Sequence, residues 1–204
     1  MMQADDTYQT IELKAEGLYK EKGSRFIALA FPVSSEVQVK AILDDLRQEY
    51  HDARHHSFAY IVGYKGERWR TNDDGEPSGT AGKPIYGQLL SFNLTNVLVV
   101  VVRYFGGTKL GVSGLINAYK TAACNALNNA RIVTKTIDQT FSVFVDYPLV
   151  GEVMRVIKDL SIQVIEQQFD TRCMVRVSVR QSLCGEFTSR INKVESAWID
   201  SVDQ

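Results

Sequence analysis

Residues 96–114, NVLVVVVRYFGGTKLGVSG, decide the reading of this chain. Residues 97–102 are all Val or Leu and leave no polar face, so they form a strand covered on both sides and central in its sheet. Arg103, Tyr104 and Phe105 follow, then Gly106, Gly107, Thr108, Lys109, Leu110 and Gly111, then a long helix expected over about residues 113–130. A strand that ends in a glycine-rich turn and runs into a helix puts its ligand side at that turn in open α/β sheets. Arg103 can fork to a phosphate or carboxylate and Lys109 supplies a point charge. Tyr104 and Phe105 are able to stack a base. The spacing is not G-x-G-x-x-G, so a dinucleotide fold has no support. A tight strand–helix turn with one aromatic in the core fits the same residues.

Upstream, residues 73–84 read DDGEPSGTAGKP. Asp73, Asp74, Gly75, Glu76, Ser78, Gly79, Thr80, Gly82 and Lys83 crowd carboxylates, glycines, hydroxyls and a lysine into one loop, just before a helix opened by Pro84. Backbone N–H groups exposed at a helix N-terminus are how an anion site is built. A Walker A loop is excluded by Pro77 and Pro84. Asp73, Asp74 and Glu76 also have the chemistry to hold Mg²⁺ against a phosphate, and a plain solvated connection carries similar punctuation. Both loops lead into helices, so they are expected to converge on one cleft. The second loop contributes Arg103, Tyr104, Gly106, Gly107, Lys109 and Gly111 as ligand-binding candidates.

All three histidines lie at residues 51–56, HDARHH. On a strand, His56 shares a face with Phe58 and Tyr60 and His55 the other with Ser57; His56 joins the ligand-binding candidates. Adjacent strand histidines point apart and no H-E-x-x-H spacing occurs, so no metal ligand is assigned. Cys124, Cys173 and Cys184 show no metal-type pairing and no partner histidine, so no nucleophile is assigned.

Outward from these loops the pattern is mixed. Ile11 and Leu13 mark a strand and residues 26–31 a second. Ser35 and Gln38 open a helix as a capping box. Phe58, Tyr60, Val62 and Tyr64 alternate as a third strand, and residues 68–70 form a short fourth. After a linker near residues 132–139 the order becomes β-α-β-β-α-β. It consists of a strand at 141–145, a helix from Pro148, a strand at 162–169 and a turn at Asp170-Thr171-Arg172. A strand with Cys173, Val175, Val177 and Val179 inward, a helix at 183–194 and a last strand at 197–199 complete it. The fold class is α+β in two domains, residues 1–135 and residues 136–204, the second ferredoxin-like.

Composition sets the outer bounds. The 204 residues carry 23 Lys+Arg against 24 Asp+Glu, a net charge of −1. That disfavours a protein that grips nucleic acid by bulk charge, and no DNA partner is expected. No run approaches the roughly 18 apolar residues of a membrane span, and the N-terminus MMQADDTYQT is unlike a secretory signal. A cytoplasmic protein with no membrane association is expected.

DARHHSFAY (residues 52–60), DDGEPSGTAGKP and NVLVVVVRYFGGTKLGVSGLINAY (residues 96–119), together with GSRF at residues 23–26, resemble the corresponding blocks of the Impact family, specifically its bacterial YigZ-type members. The resemblance covers roughly residues 10–130. It implies a first domain similar to a β/α domain shared by a small-subunit ribosomal protein and elongation factor G, and a ferredoxin-like second domain. The family's eukaryotic members act in translational control, and the family supplies no settled catalytic set. The leading expectation is an RNA- or ribosome-associated binding protein that regulates translation, with no cofactor. The alternative is an enzyme that takes a nucleotide or other phosphate-bearing small molecule in the glycine-rich cleft. A protein partner on the face bearing Arg176, Ser178 and Arg180 is a third reading.

Overall fold

The computed structural model describes residues 6–170 and 172–202. In chain order the elements are β1 (Thr7–Ile11), β2 (Ala15–Glu21), β3 (Ser24–Pro32), α1 (Glu36–Glu49), β4 (His55–Val62), β5 (Arg68–Asn72), α2 (Gly82–Ser91), β6 (Val97–Tyr104) and α3 (Gly111–Asn128). Then come β7 (Ile132–Thr136), β8 (Asp138–Asp146), α4 (Val150–Asp159), β9 (Gln163–Gln168), β10 (Arg172–Arg180), α5 (Cys184–Ile191) and β11 (Trp198–Val202). The chain divides into two compact units, one of residues 8–135 and one of residues 136 onward that also includes Asp6 and Thr7.

The first unit is a five-stranded sheet in the order β2-β3-β6-β4-β5. β6 is central, as its unbroken apolar run requires, and its neighbours β3 and β4 are both antiparallel to it. All six residues at 97–102 are fully buried; each such side chain contributes about 1.5–3 kcal/mol. Leu98, Val100 and Val102 meet Val39, Leu43 and Leu46 of α1 on one face. Val97, Val99 and Val101 meet Ile85 and Leu89 of α2 and the small-residue face of α3 on the other. The capping box at α1 is offset by one residue: Ser35 Oγ accepts the Gln38 N–H, while Gln38 Oε1 accepts the N–H of Ser34.

Three expectations change here. The first strand ends at Ile11, and Leu13 is 70% exposed in the connection after it. β2 (AEGLYKE) has no apolar alternation of the usual kind, because it packs through small residues: a Cβ on Gly17 would lie 2.3 Å from the Ala126 backbone nitrogen of α3. The segment read as a linker is strand β7, hydrogen-bonded to β1, and only Ile137 separates it from β8.

The second unit has the sheet order β11-β8-β10-β9, all antiparallel, so the β-α-β-β-α-β reading is the ferredoxin-like arrangement. Val143, Val145, Cys173, Val175, Val177 and Val179 face Val153 and Ile157 of α4 and Phe187 and Ile191 of α5. Pro148 sits in a single 3₁₀ turn, and α4 proper starts at Val150. Of the turn expected at residues 170–172, Thr171 lies outside the described residues. The Asp6 carboxylate takes a two-pronged hydrogen bond from Arg180 at 2.7 and 2.6 Å. No helix among the described residues is long and apolar enough to cross a membrane.

Candidate functional site

Strand register builds the site. Arg103, near the end of β6, stands opposite Phe26 on β3 and His55 on β4. All three continue the sheet face covered by α2 and α3. There Arg103 Nη1 donates to Glu76 Oε1 at 2.6 Å, and the Tyr119 hydroxyl of α3 donates to the same oxygen at 2.7 Å. The Arg103 and Glu76 side chains are 7% and 4% exposed. Tyr119 is fully buried and packs edge-on against Phe26, ring centroids 5.2 Å apart. Burial, followed by the Glu76 charge, pushes the Tyr119 phenol far above its ordinary range, so it acts as a neutral donor. The guanidinium also lies over the rings of Phe26 and Phe105, 5.3 and 5.6 Å from their centroids.

Above this buried group opens a cleft of about 410 Å³. Arg54, just before β4, and His55, its first residue, line it, and the first loop contributes Glu76 and Pro77. The second loop contributes Phe105, Lys109 and Leu110, and the first turns of α3 contribute Gly111, Val112 and Leu115. The two glycine-rich loops thus meet at one cleft. Phe105 and Val112 are 55% and 59% exposed, and Lys109 is also exposed at the mouth. The N-cap of α3, Leu110, makes no side-chain hydrogen bond, and no acidic residue lies in the first turn. The positive end of an 18-residue helix therefore faces the cleft unneutralised.

The first loop behaves differently. Its N–H groups do converge on an anion, but the anion is Asp73. Asp73 Oδ2 accepts from Gly79, and Oδ1 accepts from Ala81 and Gly82, at 2.8–3.0 Å. Burial alone raises the Asp73 carboxyl; these three N–H bonds outweigh it and hold the group below its usual range. Asp74 Oδ2 accepts the His56 N–H, and its carbonyl oxygen bonds to His55 Nδ1 at 2.7 Å. The Ser57 hydroxyl donates to the Asp73 carbonyl, and the buried Thr80 hydroxyl to that of Pro77. Gly75, Ser78 and Lys83 are exposed outside the cleft lining. Asp73, Asp74 and Glu76 are each met by protein donors, and among the described residues no three metal-ligating side chains cluster.

Two candidates point away from the cleft. Tyr104 is on the α1 side of the sheet, where its hydroxyl donates to Asp52 Oδ1 and Arg25 covers its ring. His56 is buried on that face too, 6% exposed, and burial lowers its pKa; His55 is the histidine in the cleft. Gly106 has a packing role: a Cβ there would lie 1.9 Å from the Gly23 carbonyl carbon. Gly107 is exposed beside it.

With this geometry in hand, comparison with known proteins is decisive about kinship. Residues 22–127 match the Impact N-terminal domain, a span that contains every residue of the cleft. The chain belongs to the Impact family. Similar members are YigZ of Escherichia coli, 30% identical over 172 residues (83% of this chain and 84% of that one), and YvyE of Bacillus subtilis, 34% identical over 147 residues (72% and 68%). A crystal structure of a hypothetical protein, 26% identical, superposes with a TM-score of 0.74 over 98% of this chain and all of the other. Within the Impact domain, Arg54, His55, Leu110, Val112 and Leu115 are cleft residues that the sequence reading passed over as candidates. His55 had a usable signal, since alternation already set it opposite in facing to Phe58 and Tyr60.

Proposed function

We propose that this Impact protein binds RNA, free or in the ribosome, by taking one unpaired nucleotide into the cleft, and that it serves translational control in the cytoplasm. The carrying observation is the exposed Phe105 ring ringed by Arg54, Lys109 and the uncapped start of α3. A base stacks on Phe105, and its phosphate meets the two cations and the helix N-terminus. Arg103 is already neutralised by Glu76, so it shapes the floor and leaves phosphate contact to Arg54 and Lys109. The Impact resemblance supports the translational setting.

Two phosphate contacts to single-stranded RNA give a salt slope of about −1.4, or an affinity loss of about sevenfold between 50 and 200 mM salt. Filter binding with ribosomes and with an unstructured RNA tests this. Arg54→Ala/Lys109→Ala flattens the slope towards zero, and Phe105→Ala weakens binding by about 1–3 kcal/mol. A double variant that binds with the parent's affinity and salt slope refutes the site.

The cleft volume supports a second reading, a free nucleotide or similar phosphate-bearing small molecule. A thermal-shift series distinguishes it: a ligand at 100 times its Kd stabilises by about 2.7 kcal/mol, and a series with no shift removes this reading.

A further inference from the structure

The far edge of the same sheet carries a second feature. Among the described residues β5 pairs only with β4, so its outer backbone edge is unpaired. Its side chains alternate in character as well as direction. Trp69 is 56% exposed on the α2 side and stacks on Tyr86 with ring centroids 4.9 Å apart; Leu90, one turn along α2, is 55% exposed. Arg70 points to the α1 side, where it lines a groove with Lys40, Arg47 and the carboxylates Glu36 and Asp44; Asp44 pairs with Arg47 at 3.8 Å, which leaves Arg70 and Lys40 as the groove's unmatched cations. Arg68, opposite Val62 on that same face, has Glu36, at 3.8 Å, as its single ion-pair partner among the described residues. Neither Arg70 nor Lys40 has an ion-pair partner among the described residues.

We propose that this edge binds an extended segment of a partner protein by strand addition, and that the segment alternates carboxylates with apolar residues. A strand laid along β5 puts one residue opposite Trp69 on the α2 side and its two neighbours opposite Arg68 and Arg70 on the other. An apolar residue meets the Trp69–Tyr86–Leu90 surface, and flanking carboxylates meet the two arginines; main-chain hydrogen bonds supply the rest. A second copy of this chain is the wrong occupant. Its own β5 brings arginines against arginines, the like-charge pairing that guards sheet edges.

The test uses the full chain with Trp198→Phe, which leaves Trp69 as the single tryptophan. Eight-residue peptides alternating Glu with Val or Leu are titrated, with a version carrying Lys in place of Glu as the control. The acidic peptide shifts Trp69 emission and slows amide exchange at Arg68–Asn72 at least tenfold. Arg68→Glu/Arg70→Glu weakens the acidic peptide at least tenfold and makes the Lys peptide the better ligand; both side chains are exposed, so folding is spared. The proposal is overturned if exchange at β5 is unchanged, if both peptides bind the parent equally, or if single-stranded RNA moves Trp69 while the acidic peptide does not.

Discussion

Removing one partner of the Arg103–Glu76 pair is the sharpest test of how the cleft floor is held. The pair is 2.6 Å long, with side chains 7% and 4% exposed. Glu76→Leu leaves the Arg103 guanidinium buried without an anion and the Tyr119 hydroxyl without its acceptor. An uncompensated buried charge of this kind costs about 3–5 kcal/mol, and the orphaned hydroxyl adds about 1–3. Arg103→Met leaves the Glu76 carboxylate with the Tyr119 hydroxyl still donating to it. The double variant Glu76→Leu/Arg103→Met removes both charges, and an apolar replacement of a buried pair is often neutral. It is therefore expected to be more stable than Glu76→Leu alone. Urea unfolding followed through Trp69, in a Trp198→Phe background, isolates the first unit. With a slope of about 2 kcal/mol per M urea, Glu76→Leu lowers the midpoint by about 2–4 M and the double variant recovers most of that. If Glu76→Leu shifts the midpoint by less than 0.5 M (about 1 kcal/mol), or if the double variant loses the sum of the singles, the pair is not the buried unit described above.

Asp73→Ala leaves the N–H groups of Gly79, Ala81 and Gly82 without their acceptor, so it destabilises the first unit by about 2–4 kcal/mol, measurable by the same urea titration. Gly106→Ala drives a Cβ into the Gly23 backbone; crystals or amide exchange of the variant show residues 105–110 displaced, with RNA affinity lost alongside. Burial, then the hydrogen bond to Glu36, pushes the Tyr60 phenol up to about 12. It remains neutral in the fold after it ionises in the unfolded chain, so its stabilisation is intact below about pH 10 and is lost as pH rises towards 12. Tyr60→Phe removes that alkaline loss from the stability–pH profile and the phenol step near pH 12 from the absorbance titration. The Arg180 bond holds the Asp6 carboxyl far below its ordinary value, so its contribution is present above about pH 3.9 and fades as pH falls below that. The stability gap between the parent and Asp6→Asn is accordingly widest near neutral pH and closes in acid, as paired urea melts at pH 7 and below pH 3 will register.

What could be read from the sequence follows from how each element is held. β6 was legible because six buried aliphatic residues in a row admit one interpretation. The ferredoxin-like unit was legible because Cys173, Val175, Val177 and Val179 keep strict alternation against two amphipathic helices. β2 was not legible, because its contact with α3 is made by small residues at close approach. The glycine-rich loops stood out as the site region. Which of their side chains face the cleft depended on register, which no single segment contains. Arg103 stands across from His55, so that histidine lines the cleft, and the next residue, Tyr104, is turned to the opposite face. The engagement of Asp73 was hidden for the same reason, since the segment at 79–82 must fold back onto it before its N–H groups have a target.

That last contact also fixes where positive potential remains. Two helices begin beside the cleft region, and each start carries the unpaired N–H groups that draw anions. At α2 the chain supplies the anion itself, because Asp73 takes two of the first N–H groups and a third from Gly79. At Arg103 it does so again through Glu76. At α3 no side chain caps the first turn, and Lys109 and Arg54 lie alongside with their cations towards solvent. Around the cleft, a chain whose net charge is −1 thus neutralises Arg103 and the start of α2 and leaves the start of α3, flanked by Arg54 and Lys109, uncapped. This is the arrangement expected when affinity for a phosphate comes from a shaped local site: binding that depends on two side chains and falls modestly with salt.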